Sequence, residues 1–180
     1  MKTIDELLGE VAAKLNVHQP VSEERGKSEA VKPAESALPK ASENPQSCDK
    51  MTLKTAKALA QAVEYAAEKI GASVVTAVVN DGARLVCLEA MDNSYIASVN
   101  AAQDKAYTAA ALKMPTYTAL EQSRGGALDG FTNGNGILML AGGEPLMCGE
   151  RLIGGVGVSG GTKEQDALLA RVAAEVFKAL

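Results

Sequence analysis

The chain has 180 residues, a formal net charge of −4 and an aromatic content of only 3%, with no Trp. That length suits one ordinary domain plus an appendage. The acidic balance, with no basic cluster interleaved with aromatics, argues against general nucleic-acid binding, and no 18-residue apolar run is present to span a membrane.

The N-terminus lacks a signal-peptide apolar region, and Asp5, Glu6 and Glu10 are residues that a mitochondrial transit peptide avoids. Cys48, Cys87 and Cys148 are odd in number and lack metal-ligand spacing, which fits a reducing cytoplasm better than a disulfide framework. Cys87 and Cys148 read as small core residues or a strand-end thiol.

From Thr3 to Val17, the residues Ile4, Leu7, Leu8, Val11 and Leu15 recur at helical spacing and make one apolar stripe. Thr3 with Glu6 is a capping-box pattern, and Lys14 suits the helix C-terminus. Such a short helix is marginal alone in water, so its stripe needs a partner surface. Residues 18–50 hold Pro20, Pro33, Pro39 and Pro45 among Ser, Glu, Lys and Ala, with few large apolar residues. This stretch cannot offset its own ordering entropy and is expected to be a disordered tether.

From Met51 to Leu180 the chain is punctuated like a folded domain. Leu53 to Ile70 predicts a helix stopped by Gly71. Ser73–Val79 and Arg84–Met91 predict strands joined across Asn80-Asp81-Gly82-Ala83, a hairpin signal. Asn93 or Ser94 can cap a long helix through about Leu112. Pro115 ends that region, and Thr116 can start a shorter helix. Residues 123–136 form a Gly-rich loop. Ile137–Ala141 and Leu152–Val158 read as an antiparallel pair, with a short extra strand at Leu146–Cys148 as an option. Thr162 with Gln165 is a second capping box, opening a final helix. Hairpins flanked by helices favour an α+β fold, an antiparallel sheet with helices packed on it, over a doubly wound parallel sheet.

Gly155-Val156-Gly157-Val158-Ser159-Gly160 matches the dinucleotide fingerprint. A Rossmann reading fails, because no later strand follows to supply the acidic ribose-binding residue. Gly155 and Gly157 fall inside the strand, where they fit a crossing side chain or a neighbouring backbone. Ser159-Gly160-Gly161-Thr162 presents backbone N–H groups at a helix N-terminus, which suits either an anion site or a tight capped turn. Lys105 shares a small-residue helix face with Ala97, Ala101 and Thr108. It can serve as a buried ligand group or reach out to solvent. His18 is the sole histidine and lies in the tether, so the domain can hold neither a Ser-His-Asp triad nor a His-bearing zinc site.

Several blocks together resemble one family. Met91-Asp92, Ser94, Asp104 to Ala110 and Pro115-Thr116 resemble its central part. Gly142-Gly143-Glu144-Pro145, Gly154 to Thr162 and Gln165-Asp166 resemble its C-terminal part. The family is the GlcG/HbpS-like group, which includes the C-terminal domain of PduO, and the resemblance covers residues 51–180. It implies a profilin-like α+β fold, assembly into dimers or larger rings, and association with haem or a corrinoid. Haem binding in a PduO-type domain is attributed to a histidine, and here the domain has none. The adenosyltransferase activity of full PduO proteins resides in a different domain, which this chain lacks. The N-terminal helix and tether resemble the encapsulation peptides of bacterial microcompartment cargo. Docking of that helix on the shell or on other cargo would use Ile4, Leu7, Leu8, Val11 and Leu15.

The reading that follows is an accessory protein of a microcompartment lumen, homo-oligomeric, binding haem, a corrinoid or another anionic cofactor. Lys105, Thr108, Ser159, Gly160, Gly161 and Thr162 would form the pocket, with His18 as the candidate iron ligand. Two alternatives stand beside it. One is an enzyme acting on a small acid or aldehyde, with Lys105 as acid/base or electrostatic stabiliser and Asp92 or Asp166 as its partner. The other is a structural cargo or scaffold protein without a ligand.

Overall fold

The computed structural model describes residues 3–15, 49–131 and 135–180. The elements, in order, are α1 (Ile4–Leu15), α2 (Leu53–Ile70), β1 (Val75–Asn80), β2 (Leu85–Ala90), α3 (Ile96–Leu112), α4 (Thr116–Gln122), β3 (Gly143–Cys148), β4 (Arg151–Ser159) and α5 (Lys163–Ala179). The four strands form one antiparallel sheet in the order β2-β1-β4-β3.

The caps explain several element boundaries. Thr52 accepts from the N–H of Thr55 at the start of α2, and Gly71 closes that helix in the left-handed conformation at φ 68°. Both capping boxes form: Thr3 with Glu6 at α1 and Thr162 with Gln165 at α5. The long helix α3 departs from expectation. Its N-cap is Tyr95, with no side-chain cap, while Asn93 sits in the left-handed region at φ 65° as part of the preceding turn.

The third strand also departs from expectation. Ile137–Ala141 is not extended pairing sequence; β3 is Gly143–Cys148, at the sheet edge beside β4. Backbone groups of 138–140 are taken by side chains instead. The N–H of Leu138 donates to Thr108 Oγ1 at 2.7 Å, and Thr116 Oγ1 donates to the carbonyl of Leu140 at 2.6 Å. An edge position tolerates Pro145, which has no N–H to give.

The sheet carries a helical layer on each face. On one side Val75, Ala77 and Val79 of β1 pack with Ala102, Ala106 and Ala110 of α3. Gly155 and Gly157 of β4 face the same helix. A Cβ at Gly157 would strike the backbone of α3 at the carbonyl of Ala102 and at the nitrogen of Ala106. The two strand glycines therefore admit a neighbouring backbone, and close approach of helix to sheet fills the core that large rings fill elsewhere. On the other side Val74, Val78, Val156, Val158, Ile153 and Leu146 pack with α2 and α5.

The apolar stripe of α1 finds its partner surface on the chain's own domain. The helix lies against α2 and α5, with Leu7 and Val11 completely buried and Ile4 and Leu8 packed beside them. Lys14 lies 4.4 Å from the centre of the Tyr65 ring, and Lys69 lies 4.9 Å from it. Burying Leu7 and Val11 alone contributes about 3–6 kcal/mol, and Ile4 and Leu8 add to it. The side chain of Leu15, together with His18 and nearly all of the expected tether, lies outside the described residues.

Candidate functional site

Lys105 is 1% exposed and is among the largest completely buried side chains. It leaves α3 and reaches α5, which packs on the opposite face of the sheet. Its Nζ donates to Asp166 Oδ2 at 2.7 Å and to the carbonyl of Val158 at 2.8 Å. Passage between the layers depends on Gly142, where φ is +114°. A Cβ there would lie 2.8 Å from the Cβ of Asp166 and 3.1 Å from Lys105 Nζ. Burial pushes the ammonium pKa down, and the Asp166 charge and hydrogen bond oppose that shift.

The turn after β4 is organised around the same carboxylate. The N–H of Gly161 donates to Asp166 Oδ1 at 2.9 Å, and the N–H of Asp166 donates to the carbonyl of Thr162 at 2.8 Å. The N–H of Thr162 donates to Gln165 Oε1, and that of Gln165 to Thr162 Oγ1. Gly160 holds φ +142° against the carbonyl of Ser73, and Ser159 is 8% exposed at the end of β4. The anion that this turn holds, with Lys105 opposite, is the chain's own Asp166.

Thr108, three positions along α3 from Lys105, is completely buried and ties α3 to the 136–138 segment. Its hydroxyl donates to the carbonyl of Asp104 at 2.7 Å and accepts from Leu138. Of the expected pocket residues, the structure therefore joins Lys105 to the Ser159–Thr162 turn through Asp166, and it gives Thr108 a separate task. Asp92 is exposed and forms no part of the cluster. Thr116 does for β3 what Thr108 does for the preceding segment: it accepts from the N–H of Gly143 at 2.9 Å. Nothing in the sequence pattern around Pro115-Thr116 signals that role beyond a helix start.

A second polar cluster lies between α2 and β2. Cys87 Sγ donates to Glu89 Oε1 at 3.4 Å, and its thiol pKa is pushed up to about 11 by burial and by Glu89. Such a thiol stays protonated and is no nucleophile at neutral pH. Glu64 is raised by burial and by its contact with Glu89. Cys148 is disulfide-bonded. That corrects its reading as a core or strand-end thiol and removes the odd cysteine count as an argument for a reducing compartment. A cleft of about 390 Å³ lies at the seam of α1 and α2, lined by Val11, Lys14, Gln61, Glu64, Tyr65 and Glu68, away from Lys105. Among the described residues, no group of three or more His, Cys, Asp or Glu is placed to hold a metal ion. No described helix is long and apolar enough to cross a membrane.

Comparison with known proteins gives a consistent family. Residues 51–175 match the family described as haem degrading protein HbpS-like. An uncharacterized 15.0 kDa protein in the dhaT-dhaS intergenic region of Citrobacter freundii is 41% identical over 133 residues, spanning 72% of this chain and 94% of that protein. The crystal structure of Klebsiella pneumoniae ORFY superposes with a TM-score of 0.69 at 37% identity, covering 80% of this chain and 99% of that one. A crystal structure described as a PduOC:heme complex superposes with a TM-score of 0.67 at 28% identity, covering 73% of this chain and 95% of that one.

Proposed function

This chain belongs to the HbpS-like family, and from that premise we propose that it is a haem-binding, homo-oligomeric accessory protein carried as cargo in a bacterial microcompartment. The observation that carries the haem reading is the likeness over nearly the whole domain to a relative solved with haem. Haem is preferred to a corrinoid, because haem is the cofactor with which that relative is described.

The Lys105 network does not fit as the haem cradle. Its ammonium is occupied by Asp166 and Val158, the N–H groups of Gly161 and Thr162 are occupied by Asp166 and Gln165, and the space over Gly155 and Gly157 is filled by α3. A carboxylate entering there would have to displace that of Asp166. The described residues also contain no imidazole, so histidine ligation falls to His18, the one histidine of the chain. We assign Lys105, Thr108, Ser159, Gly160, Gly161 and Thr162 to holding the two helical layers and the 136–143 segment in place. Haem binds elsewhere on the assembly in this reading.

Oligomerisation is supported by the apolar side chains left open. Ile96 is 93% exposed and its neighbour Tyr95 71%, with Leu85 49% exposed at the start of β2, and exposed large apolar side chains of this kind suit an association surface. The cargo reading is supported by α1, an amphipathic helix that lies with its Pro-rich connecting sequence outside the family match at 51–175.

Titration of the full chain with haem, followed by Soret absorbance, tests the cofactor. A saturable Soret shift lost in His18→Ala supports this assignment. A shift that survives His18→Ala and is lost in Lys105→Met returns the site to the buried network, and no shift with excess haem overturns haem binding. Residues 1–20 fused to a fluorescent protein are expected to form puncta that depend on co-expressed shell proteins. Diffuse fluorescence beside intact shells overturns the cargo reading.

A further inference from the structure

Two of the side chains that would dock on a shell, Leu7 and Val11, are buried in the structure, and Ile4 and Leu8 are half-buried beside them. Leu7 and Val11 are 0% and 1% exposed, seated in the main core cluster against α2 and α5. The same stripe cannot lie on its own domain and on an external surface at once. Resting on the cargo reading above, we propose that the α2/α5 face is an autoinhibitory receptor for α1, so that the N-terminal address is masked until α1 leaves its own domain.

Three observations support a contact built to open. The seat is a short apolar stripe: among the described side chains of α1, Leu7 and Val11 are completely buried and Ile4 and Leu8 are half-buried. In sequence, residues 16–48 separate α1 from the rest of the domain, a length whose full extension is at most about 110 Å. The seam is also partly polar. Lys14 and Lys69 both lie over Tyr65, and Glu64 and Glu68 line the cleft beside Val11 and Lys14. A seam with water-accessible charges on both sides opens more readily than a closed apolar one. The occupant of the α2/α5 face is this chain's own α1, and the external partner competes for α1, not for that face.

The receptor side can be weakened without touching the address. Tyr65→Ala removes the ring between Lys14 and Lys69, and adding Glu68→Lys sets a cation beside Lys14. Hydrogen exchange on the purified full chain is expected to show the α1 amides protected in wild type, and at least tenfold faster in one or both variants. Exchange in the buried turns of α2 and α5 should be unchanged. In cells making shells, the full chain with a C-terminal fluorescent protein should show a shell-associated fraction several-fold higher for the opened variant. Leu7→Asp with Val11→Asp should abolish association in every background. If wild-type α1 exchanges as fast as the free 1–20 peptide, or if the opened variant gains no association although residues 1–20 alone associate, the latch is wrong and the cargo reading stands. If residues 1–20 alone do not associate, the cargo reading is wrong and the latch falls with it.

Discussion

Replacing Lys105 by Met separates an architectural ion pair from a ligand site. The variant nearly keeps the length of the side chain but leaves the Asp166 carboxylate, 6% exposed, with the backbone N–H of Gly161 as its hydrogen-bond donor, and strips one donor from the carbonyl of Val158. Removing one member of a buried pair typically costs about 3–5 kcal/mol, because the other charge stays buried and uncompensated. Asp166→Asn should cost a similar amount, since its amide can still accept from Gly161 but no longer balances the ammonium. The double variant Lys105→Met/Asp166→Asn leaves no charge unpaired. It should recover roughly 2 kcal/mol or more relative to the sum of the single losses, a coupling read from a double-mutant cycle. Urea unfolding followed by far-UV circular dichroism at pH 7 gives all four stabilities. A cost below about 1 kcal/mol for Lys105→Met, or strict additivity of the two changes, would refute the architectural assignment. Loss of haem binding without loss of stability would point the same way.

Three other outcomes follow from separate features. Gly157→Ala drives a methyl into the backbone of α3 at Ala102 and Ala106, and should cost at least about 3 kcal/mol or abolish folding, measured by the same unfolding assay; a near-neutral result would mean α3 does not pack as described. Glu144 is pushed up to about 7 by burial, with Arg171 4.0 Å away opposing the shift. Its carboxyl stays protonated in the fold while the unfolded chain ionises near 4.5, so it lowers stability as pH rises from about 4.5 to 7. Allowing for partial solvent screening, Glu144→Gln should flatten that loss by about 1–2 kcal/mol, and an unchanged pH profile would exclude Glu144 as its source. Ile96→Asp should reduce the oligomer mass seen by light scattering with little change in monomer stability, because the side chain is 93% exposed; an unaltered mass would remove this end of α3 from the interface.

Much of the fold was legible because its signals are local. The turn residues Asn80 to Ala83 specified a hairpin that forms between β1 and β2, and Thr162 with Gln165 marked a capping box that forms. The apolar run Ile137–Ala141 misled because periodicity carries no information about side chains that capture backbone groups, as Thr108 and Thr116 do there. Asn93 departs from expectation for a related reason: the same residue type suits a helix cap and a left-handed turn, and here the turn prevails. The sequence pattern also drew attention to Lys105 and to the Ser159–Thr162 turn, yet not to their relation. Lys105 and Asp166 meet across 61 positions of chain, a distance over which spacing says nothing.

The strand order has a consequence for how the protein comes into being. In the finished sheet β1 is flanked by β2 and β4, and the register joins Val75 to Ser159 at one end and Asn80 to Gly154 at the other. During synthesis the first hairpin emerges with β2 on one side of β1 and nothing on the other, until α3, α4 and β3 have also left the ribosome. For that interval Val75 to Asn80 presents an open pairing edge, at a chain growth rate that leaves it waiting for seconds. The slow, long-range closure of β4 onto β1 is therefore the step at which a nascent chain is most exposed to pairing with a neighbouring copy.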